Sequence, residues 1–202
     1  MSRVPWWGPV IALVVLYVDA AGGIVRGEVT LPENDAGSAA VPGEVVVFVD
    51  SLPPQVARAW GRRTRPPRVS QARGRFMPRV LATVAGATVQ FQNRDEVYHN
   101  VFSVSEAKHF DLGKYPPQAV NQVTFDRPGI VPIFCDIHPG EAGWIVVLPH
   151  RFFSQPARNG SFELPWLPAG RYTLHLWHPT LGEVSRPVEV PQHGDVRVAL
   201  SF

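Results

Sequence analysis

Prolines and glycines divide this chain into short segments, and that spacing restricts it to a fold of short elements. The 202 residues include 21 prolines and 17 glycines. Between these breaks lie stretches rich in Val, Phe and Thr, and none has a sustained helical period. Examples are GEVVVFVD, RVLATV, ATVQFQN, QVTFD, IVPIF, WIVVL and VRVALSF. The pattern predicts an all-β sandwich or barrel, and 45% hydrophobic residues suffice for one large core or two small ones.

The first twenty residues have the features of an export signal. MSR gives a positive start, Val10 to Val18 is an apolar run, and VDA before Ala21 is a small-residue cleavage site. An uncleaved membrane anchor is the alternative, but the stretch contains prolines and is short for the ~20 residues of a spanning helix. The sequence therefore predicts a signal peptide over residues 1–20, cleavage near Ala20/Ala21 and a periplasmic mature protein.

Two features divide the remaining chain. Turn-forming residues in PARNG (Pro156 to Gly160) separate one group of strands from the next, and an Arg/Pro-rich stretch at 53–79 interrupts the first group. We expect a sandwich domain over residues 21–150 with an insertion at 53–79, followed by a small β-module over residues 151–202.

The positive charge of the chain is concentrated in that Arg/Pro-rich stretch. It contains eight arginines and no acidic residue, although the formal net charge of the whole chain is only +2. A solvated insertion is the usual reading of such a run. The alternatives are a docking arm for an acidic redox partner and association with an anionic membrane surface. Nucleic acid is not expected as the partner of an exported protein, and the stretch lacks the regular aromatic interleaving that stacks bases.

The single cysteine lies in FCDIHPGEAGW, between two predicted strands. In an exported protein a lone cysteine is buried and inert, pairs between chains or binds a metal. His138 follows Cys135 by three residues, and NRDEVYHNVFS supplies His99 near the start of another strand. A thiolate with two imidazoles is the donor set that copper prefers in electron-transfer sites. These three residues are the candidate metal ligands.

HNVFS followed by FCDIHPGEAGWIVV resembles the cupredoxin family, in its plastocyanin and amicyanin group, where the last two ligands follow a Cys-x-x-His-Pro pattern. HFDLG and the downstream segment are similar to exported bacterial proteins called methylamine utilisation proteins. The resemblance covers about residues 76–148 and, loosely, 25–50. It implies a Greek-key β-sandwich, one copper ion per chain as Cu(I) or Cu(II), equatorial ligation by His99, Cys135 and His138, and a hydrogen bond from Asn100 that ties the two ligand loops together.

The C-terminal segment carries a second resemblance. NGSFELPWLPAGRYTLHLWHP is similar to the carboxypeptidase regulatory-like module, a small transthyretin-like or Ig-like sandwich. Members of that family are usually structural or binding appendages, so the resemblance implies no enzymatic activity.

The resemblance places Glu141 at the position of the weak axial methionine in amicyanin-like loops. Three alternatives are open: Glu141 is a ligand, Glu141 faces solvent and the axial position is empty or held by a backbone carbonyl, or Met77 reaches the metal from a distant segment. An anionic oxygen ligand favours Cu(II) over Cu(I) and lowers the reduction potential. A ligating Glu141 would therefore give a site like red copper.

The leading interpretation is an exported mononuclear copper protein that transfers single electrons to a periplasmic redox partner. The alternative is a non-redox binding, assembly or copper-storage module that carries zinc or no metal, since the same donors also hold Zn(II). An enzyme is the least supported class, because no second metal set and no acid/base pair is visible.

Overall fold

Short strands make up almost all regular structure in the computed structural model, which describes residues 21–32, 40–53, 56 and 65–202. The predicted signal peptide and residues 54–55 and 57–64 of the predicted insertion lie outside this part. None of the helices searched in the described residues is long and apolar enough to cross a membrane. The strands are β1 (Gly22–Gly23), β2 (Val25–Thr30), β3 (Val46–Val49), β4 (Arg68–Gln71), β5 (Phe76–Met77), β6 (Val80–Val84), β7 (Ala87–Asn93), β8 (Phe102–Val104), β9 (His109–Asp111), β10 (Val120–Phe125), β11 (Gly129–Phe134), β12 (Ala142–Leu148), β13 (Phe153–Ser154), β14 (Ser161–Glu163), β15 (Leu167–Pro168), β16 (Gly170–His178), β17 (Gly182–Val190) and β18 (Val196–Ser201). A 3-10 turn spans Pro42–Glu44.

Strands β4 to β12 form a first sandwich of two sheets. One sheet has the order β10-β7-β4-β5 and the other the order β6-β12-β11-β8-β9. Phe91 and Phe125 of the former pack in one core with Ile133 and Ile145 of the latter, and all four side chains are almost fully buried. Burial of each such side chain contributes about 1.5–3 kcal/mol, so the two sheets are held face to face mainly by this core. The predicted all-β class is confirmed.

A second sandwich joins the two ends of the chain. Its sheets have the orders β13-β3-β16-β17 and β14-β2-β18, and β1 pairs with β15. Strand β2 runs parallel to β18 over six residue pairs, and β3 is antiparallel to β16. The division at residue 150 is therefore wrong for the N-terminal strands, which complete the sheets of the C-terminal segment instead of the first sandwich.

The described residues 68–77 of the predicted insertion are also part of the first sandwich. Strand β4 pairs with the central strand β7, and β5 pairs with β4. Val69 and Phe76 of this stretch lie in the first core. The alternation of buried and exposed residues in Arg68–Gln71 is that of a strand with one face toward a core.

A third apolar cluster joins the two sandwiches. Val80 and Val146 of the first sandwich pack with Val46 and Trp177 of the second. These four side chains are 7% exposed or less. The second sandwich is therefore fixed against strands β6 and β12 of the first by buried apolar surface.

Two buried histidines make stability depend on pH. Burial lowers the pKa of His150, although the backbone of Asp50 and of His150 itself and the charge of Asp50 oppose this shift. Burial also lowers the pKa of His178, with the charge of Glu44 opposing it and that of Arg79 adding to it. Histidine in the unfolded chain titrates near pH ~6.5. As the pH falls through that value the unfolded chain binds protons that the folded chain does not, so the free energy of unfolding decreases.

We expect the urea midpoint to fall between pH 7.5 and 5.5, and to fall less in the variant His150→Gln/His178→Gln. The readout is the difference between the two pH values, so a uniform loss of stability does not affect it. The exposed His193→Gln serves as the control and should retain the wild-type difference. A double variant with the wild-type pH dependence would contradict the prediction.

Candidate metal centre

The connections at one end of the first sandwich bring the candidate ligands together. His99 follows β7 and pairs with Tyr115, with backbone N···O distances of 3.2 and 2.8 Å. Cys135 comes directly after β11, and Glu141 directly before β12. Since β11 and β12 are antiparallel neighbours, the loop between them begins and ends at the same edge of the sheet. His138 lies in this loop.

The loop from Cys135 to Glu141 is closed by its own backbone. The amide of Cys135 donates to the carbonyl of Glu141 at 3.2 Å, and the amide of Glu141 donates to the carbonyl of His138 at 3.2 Å. Gly140 has a φ of 87°, a conformation that residues with a Cβ rarely adopt. Past the loop, a Cβ at Gly143 would meet the carbonyl oxygen of Arg79 at 2.9 Å. Gly140 thus permits the loop to turn back on itself, and Gly143 permits the backbone of β12 to lie close to that of Arg79.

The loop brings the donor atoms of Cys135, His138 and Glu141 close to the ring of His99, which follows β7. The Nδ1 atoms of His99 and His138 lie 3.2 Å apart. Cys135 Sγ is 3.9 Å from His99 Nδ1 and 3.7 Å from His138 Nδ1. Glu141 Oε2 is 3.1 Å from His99 Nδ1 and 3.6 Å from His138 Nδ1. One potential ligand atom per residue lies within 4.8 Å of all the others.

The five separations given above, 3.1–3.9 Å, are close to those around one metal ion. Metal–ligand bonds of about 2.0 Å to nitrogen or oxygen and about 2.3 Å to sulfur place donor atoms about 3.2–3.8 Å apart around a four-coordinate ion. Hydrogen bonds alone do not account for the cluster, because each neutral imidazole carries only one ring N–H. The donor set of thiolate, two imidazoles and carboxylate therefore fits a copper or zinc ion.

The site is enclosed on all sides but one. His99, Cys135 and Glu141 are 0%, 7% and 4% exposed. The side chain of His138 is 35% exposed and forms the one open edge of the cluster. Glu141 therefore does not face solvent, and this alternative from the sequence is wrong.

Gln71 is a site residue that the sequence did not reveal. Its Nε2 donates to Glu141 Oε1 at 3.0 Å and to the carbonyl of Asn100 at 3.1 Å, and it lies 3.3 Å from His99 Nδ1. Because Gln71 occupies Oε1, the other oxygen of Glu141 is directed toward the two imidazoles. Gln71 belongs to β4, which the sequence assigned to an insertion; only the buried-strand alternation of RVSQ could have indicated an inward side chain.

Tyr115 holds the side-chain amide of Gln71 through a hydrogen bond to its oxygen. Its hydroxyl donates a hydrogen bond to Gln71 Oε1. Burial raises the pKa of Tyr115, and the charges of Glu141 and Cys135 raise it further. The phenol therefore remains protonated and acts as a donor, which fixes the orientation of the Gln71 amide with its NH₂ group toward Glu141.

Asp95 sets the orientation of the buried His99 ring. Its Oδ2 lies 3.0 Å from His99 Nε2, on the side of the ring away from the cluster. Burial disfavours the charged form of Asp95, but hydrogen bonds from the backbone amides of Arg73 and Gly74 and from His99 hold its pKa below the usual value. The ionised carboxylate of Asp95 accepts a hydrogen bond from Nε2–H, and the imidazole tautomer with that single N–H has a lone pair on Nδ1 facing the cluster.

Asn100 does not link the two ligand loops, contrary to the prediction. Its Nδ2 donates to Asp111 Oδ1 at 2.7 Å. Its Oδ1 is buried without a hydrogen-bond partner among the described residues. Asp111 also accepts the backbone amide of Gly113 at 2.8 Å. Asn100 therefore ties the segment of His99 to strand β9, and Gln71 connects it to Glu141.

Met77 and Trp144 lie outside the cluster of four donors. The side chain of Met77, on the short strand β5, is 55% exposed. The ring of Trp144 lies 4.6 Å below the guanidinium carbon of Arg79, and its amide donates to the carbonyl of Arg79 at 2.8 Å. Trp144 thus supports the end of the ligand loop through Arg79. The fourth member of the donor cluster is Glu141, and Met77, considered as an alternative axial ligand, is not part of it.

No protein-family model matches the chain, and no curated protein sequence matches it. Solved structures of cupredoxins do. A purple cupredoxin from Nitrosopumilus maritimus is 22% identical, covers 40% of this chain and 98% of its own, and has a TM-score of 0.37. A reduced amicyanin variant is 24% identical over 43% of this chain and 85% of its own, with a TM-score of 0.39. An oxidised amicyanin variant is 25% identical; the match covers 41% of this chain and 81% of the amicyanin chain, with a TM-score of 0.38.

If Gln71 positions Glu141, its loss should weaken metal binding. We expect Gln71→Leu to reduce the affinity for Zn(II) about 10- to 100-fold, the usual effect of removing a hydrogen-bonding partner of a ligand. Competitive titration against a chelator would measure this. Gln122→Leu, at an exposed position of the same sheet, is the matched control and should bind as the wild type does. Equal affinity for the Gln71 variant and the wild type would rule out the positioning role.

Proposed function

We propose that this chain is a mononuclear copper protein that transfers single electrons, with His99, Cys135, His138 and Glu141 as the ligands. The observation that carries the proposal is the convergence of one sulfur, two Nδ1 atoms and one carboxylate oxygen within 4.8 Å. Bound copper would supply a one-electron couple between Cu(II) and Cu(I). Soft thiolate and imidazole donors suit both oxidation states.

The protein holds these ligands in place from both sides. Asp95 fixes the His99 ring through Nε2, and Gln71 fixes Glu141 through Oε1. The loop of Cys135 is closed by its backbone hydrogen bond to Glu141. Ligands that are hydrogen-bonded before the metal arrives have little freedom to move, and a small rearrangement favours fast electron transfer.

His138 provides the exit for electrons in this proposal. Its side chain is 35% exposed, whereas the other three ligands are buried. A partner that contacts the outer edge of this imidazole is separated from the metal by a single ring. We further propose that the mature chain works in the periplasm, on the basis of the export signal in residues 1–20.

A structural zinc site is the second candidate. Its support is the closed, four-donor arrangement, since structural zinc sites have four protein ligands and no open position. In that case the metal would stabilise the end of the first sandwich, and the chain would act as a binding or assembly module.

Optical and electron paramagnetic resonance spectra after addition of Cu(II) test the first proposal. We expect an intense thiolate-to-copper charge-transfer band, because Cys135 Sγ is one of the four donors. Cys135→Ser should lose the band, since an alcohol oxygen replaces the sulfur. Asp136→Ser, at an exposed neighbour outside the donor set, should keep it. Uptake of Zn(II) with no band on addition of Cu(II) would refute the electron-transfer proposal and favour the zinc site.

Replacement of the carboxylate should raise the reduction potential. An anionic oxygen prefers Cu(II), so Glu141→Met removes that preference. If the carboxylate favours Cu(II) by about 10- to 100-fold, its loss raises the potential by roughly 60–120 mV, at about 59 mV per tenfold change for one electron. Redox titration of the absorption band measures the change. An unchanged potential and band position would place Glu141 outside the ligand set.

A further inference from the structure

A groove of about 1140 Å³ lies beside the ligand loop, on the β4–β5 side of the first sandwich. Gly140, Glu141 and Ala142 of the loop form part of its wall. Four arginines also line it, together with the exposed Met77. They are Arg73, Arg75, Arg79 and Arg94.

Three of these four guanidinium groups have no ion-pair partner within the described residues. Arg79 is the exception, because it pairs with Glu44 at 2.6 Å. Arg73, Arg75 and Arg94 are exposed, and none forms a salt bridge within the described part of the chain. The groove therefore presents three exposed guanidinium groups without an ion-pair partner among the described residues, next to the candidate metal centre.

None of the acidic residues of the groove forms an ion pair with the side chain of Arg73, Arg75 or Arg94 within the described residues. Glu44 pairs with Arg79. Asp95 accepts hydrogen bonds from His99 and from the backbone amide of Arg73 at 2.6 Å. Glu141 is directed into the cluster, and its side chain is 0% exposed. Carboxylates supplied from outside the chain are the complement of the remaining guanidinium groups.

We propose that this groove is the docking surface for an acidic segment of a partner protein, and the proposal rests on the electron-transfer function proposed above. Guanidinium groups bind carboxylates with two parallel hydrogen bonds, which gives both attraction and orientation. The exposed thioether of Met77 adds an adaptable apolar contact within the groove.

The shape and depth of the groove favour a protein segment over other anions. A concave surface receives a protruding loop or strand, whereas a planar membrane cannot enter it. A small anion in the groove gains no contact with the donor atoms, because Glu141 presents no exposed side-chain atom to it. Several spaced carboxylates on one chain are needed to reach Arg73, Arg75 and Arg94 together.

Docking in the groove places a partner close to the ligands. Asp95 bonds to the His99 ring on one side and to the backbone of Arg73 and Gly74 on the other. Asp95 therefore separates Arg73 and Gly74, which line the groove, from the proposed ligand His99. Gly140, which also lines the groove, follows the partly exposed His138 by two residues in the chain. In this proposal, a segment held by the arginines would contact the loop that carries the proposed exit for electrons.

Fluorescence anisotropy with a labelled peptide of eight glutamates tests the docking surface on the full chain loaded with Zn(II). We expect binding that weakens steeply with added salt, as for attraction between exposed charges. Arg75→Glu/Arg94→Glu should weaken binding by roughly tenfold or more, since two attractions are replaced by two repulsions. Arg158→Glu/Arg197→Glu, an equal change in net charge away from the groove, should alter it less than twofold. A peptide of eight glutamines should not bind.

The outcomes separate this proposal from the one on which it rests. Equal losses in the two double variants would overturn the docking surface, because binding would follow net charge alone. Binding to vesicles of anionic lipid with no groove-dependent binding of the peptide would also overturn it, in favour of a membrane. The copper band, recorded for the same variants, is the independent readout of the metal site. A normal band with no effect of Arg75→Glu/Arg94→Glu refutes docking alone, and an absent band in the wild type refutes electron transfer.

Discussion

A carboxylate buried between two sheets is the constraint on which the site depends. Glu141 is 4% exposed, so its carboxyl group is almost completely shielded from water. An ionised group in such surroundings costs several kcal/mol unless positive charge and hydrogen bonds compensate it. Gln71 provides a hydrogen bond to one oxygen, and the other faces two imidazole nitrogens. A metal cation among these donors would supply the missing charge, which links the folding of the loop to the proposed metal.

The supporting residues come from separate strands, which explains why the site requires the intact sandwich. Gln71 lies at the end of β4, and Tyr115 in the segment before β10. Asp95 follows β7 and is bound by the backbone of Arg73 and Gly74. Glu141 is thus oriented by Gln71 from a different strand, and Asp95, which orients His99, is itself held by the turn between β4 and β5. Such an arrangement resists rearrangement when the charge of the metal changes, because movement of one ligand breaks hydrogen bonds in several strands.

The sequence predicted the all-β class from strand periodicity, which is a local property. The candidate donors came from the Cys-x-x-His spacing, the upstream His99 and the cupredoxin resemblance, which left the role of Glu141 open. The sequence did not predict Gln71 or Asp95, whose roles depend on contacts across strands. It also misassigned β2, which pairs in parallel with β18 from the other end of the chain. Alternation of apolar residues identifies a strand but not its partner, so the division into sandwiches could not be read from the pattern. The arginines of residues 68–79 concealed a buried strand for a related reason: only every second side chain of β4 faces inward.

The second sandwich has a role at the metal centre through Arg79. The guanidinium of Arg79 pairs with Glu44 and covers the ring of Trp144, while its carbonyl accepts the Trp144 amide. Glu44 belongs to the segment that completes the second sandwich, and apolar packing around Val46 and Val80 holds the two bodies together. Arg79 is therefore paired within the protein, and Arg73, Arg75 and Arg94 form no ion pair among the described residues. In the docking proposal, Arg79 would fix the end of the ligand loop, and the other three arginines would contact the partner.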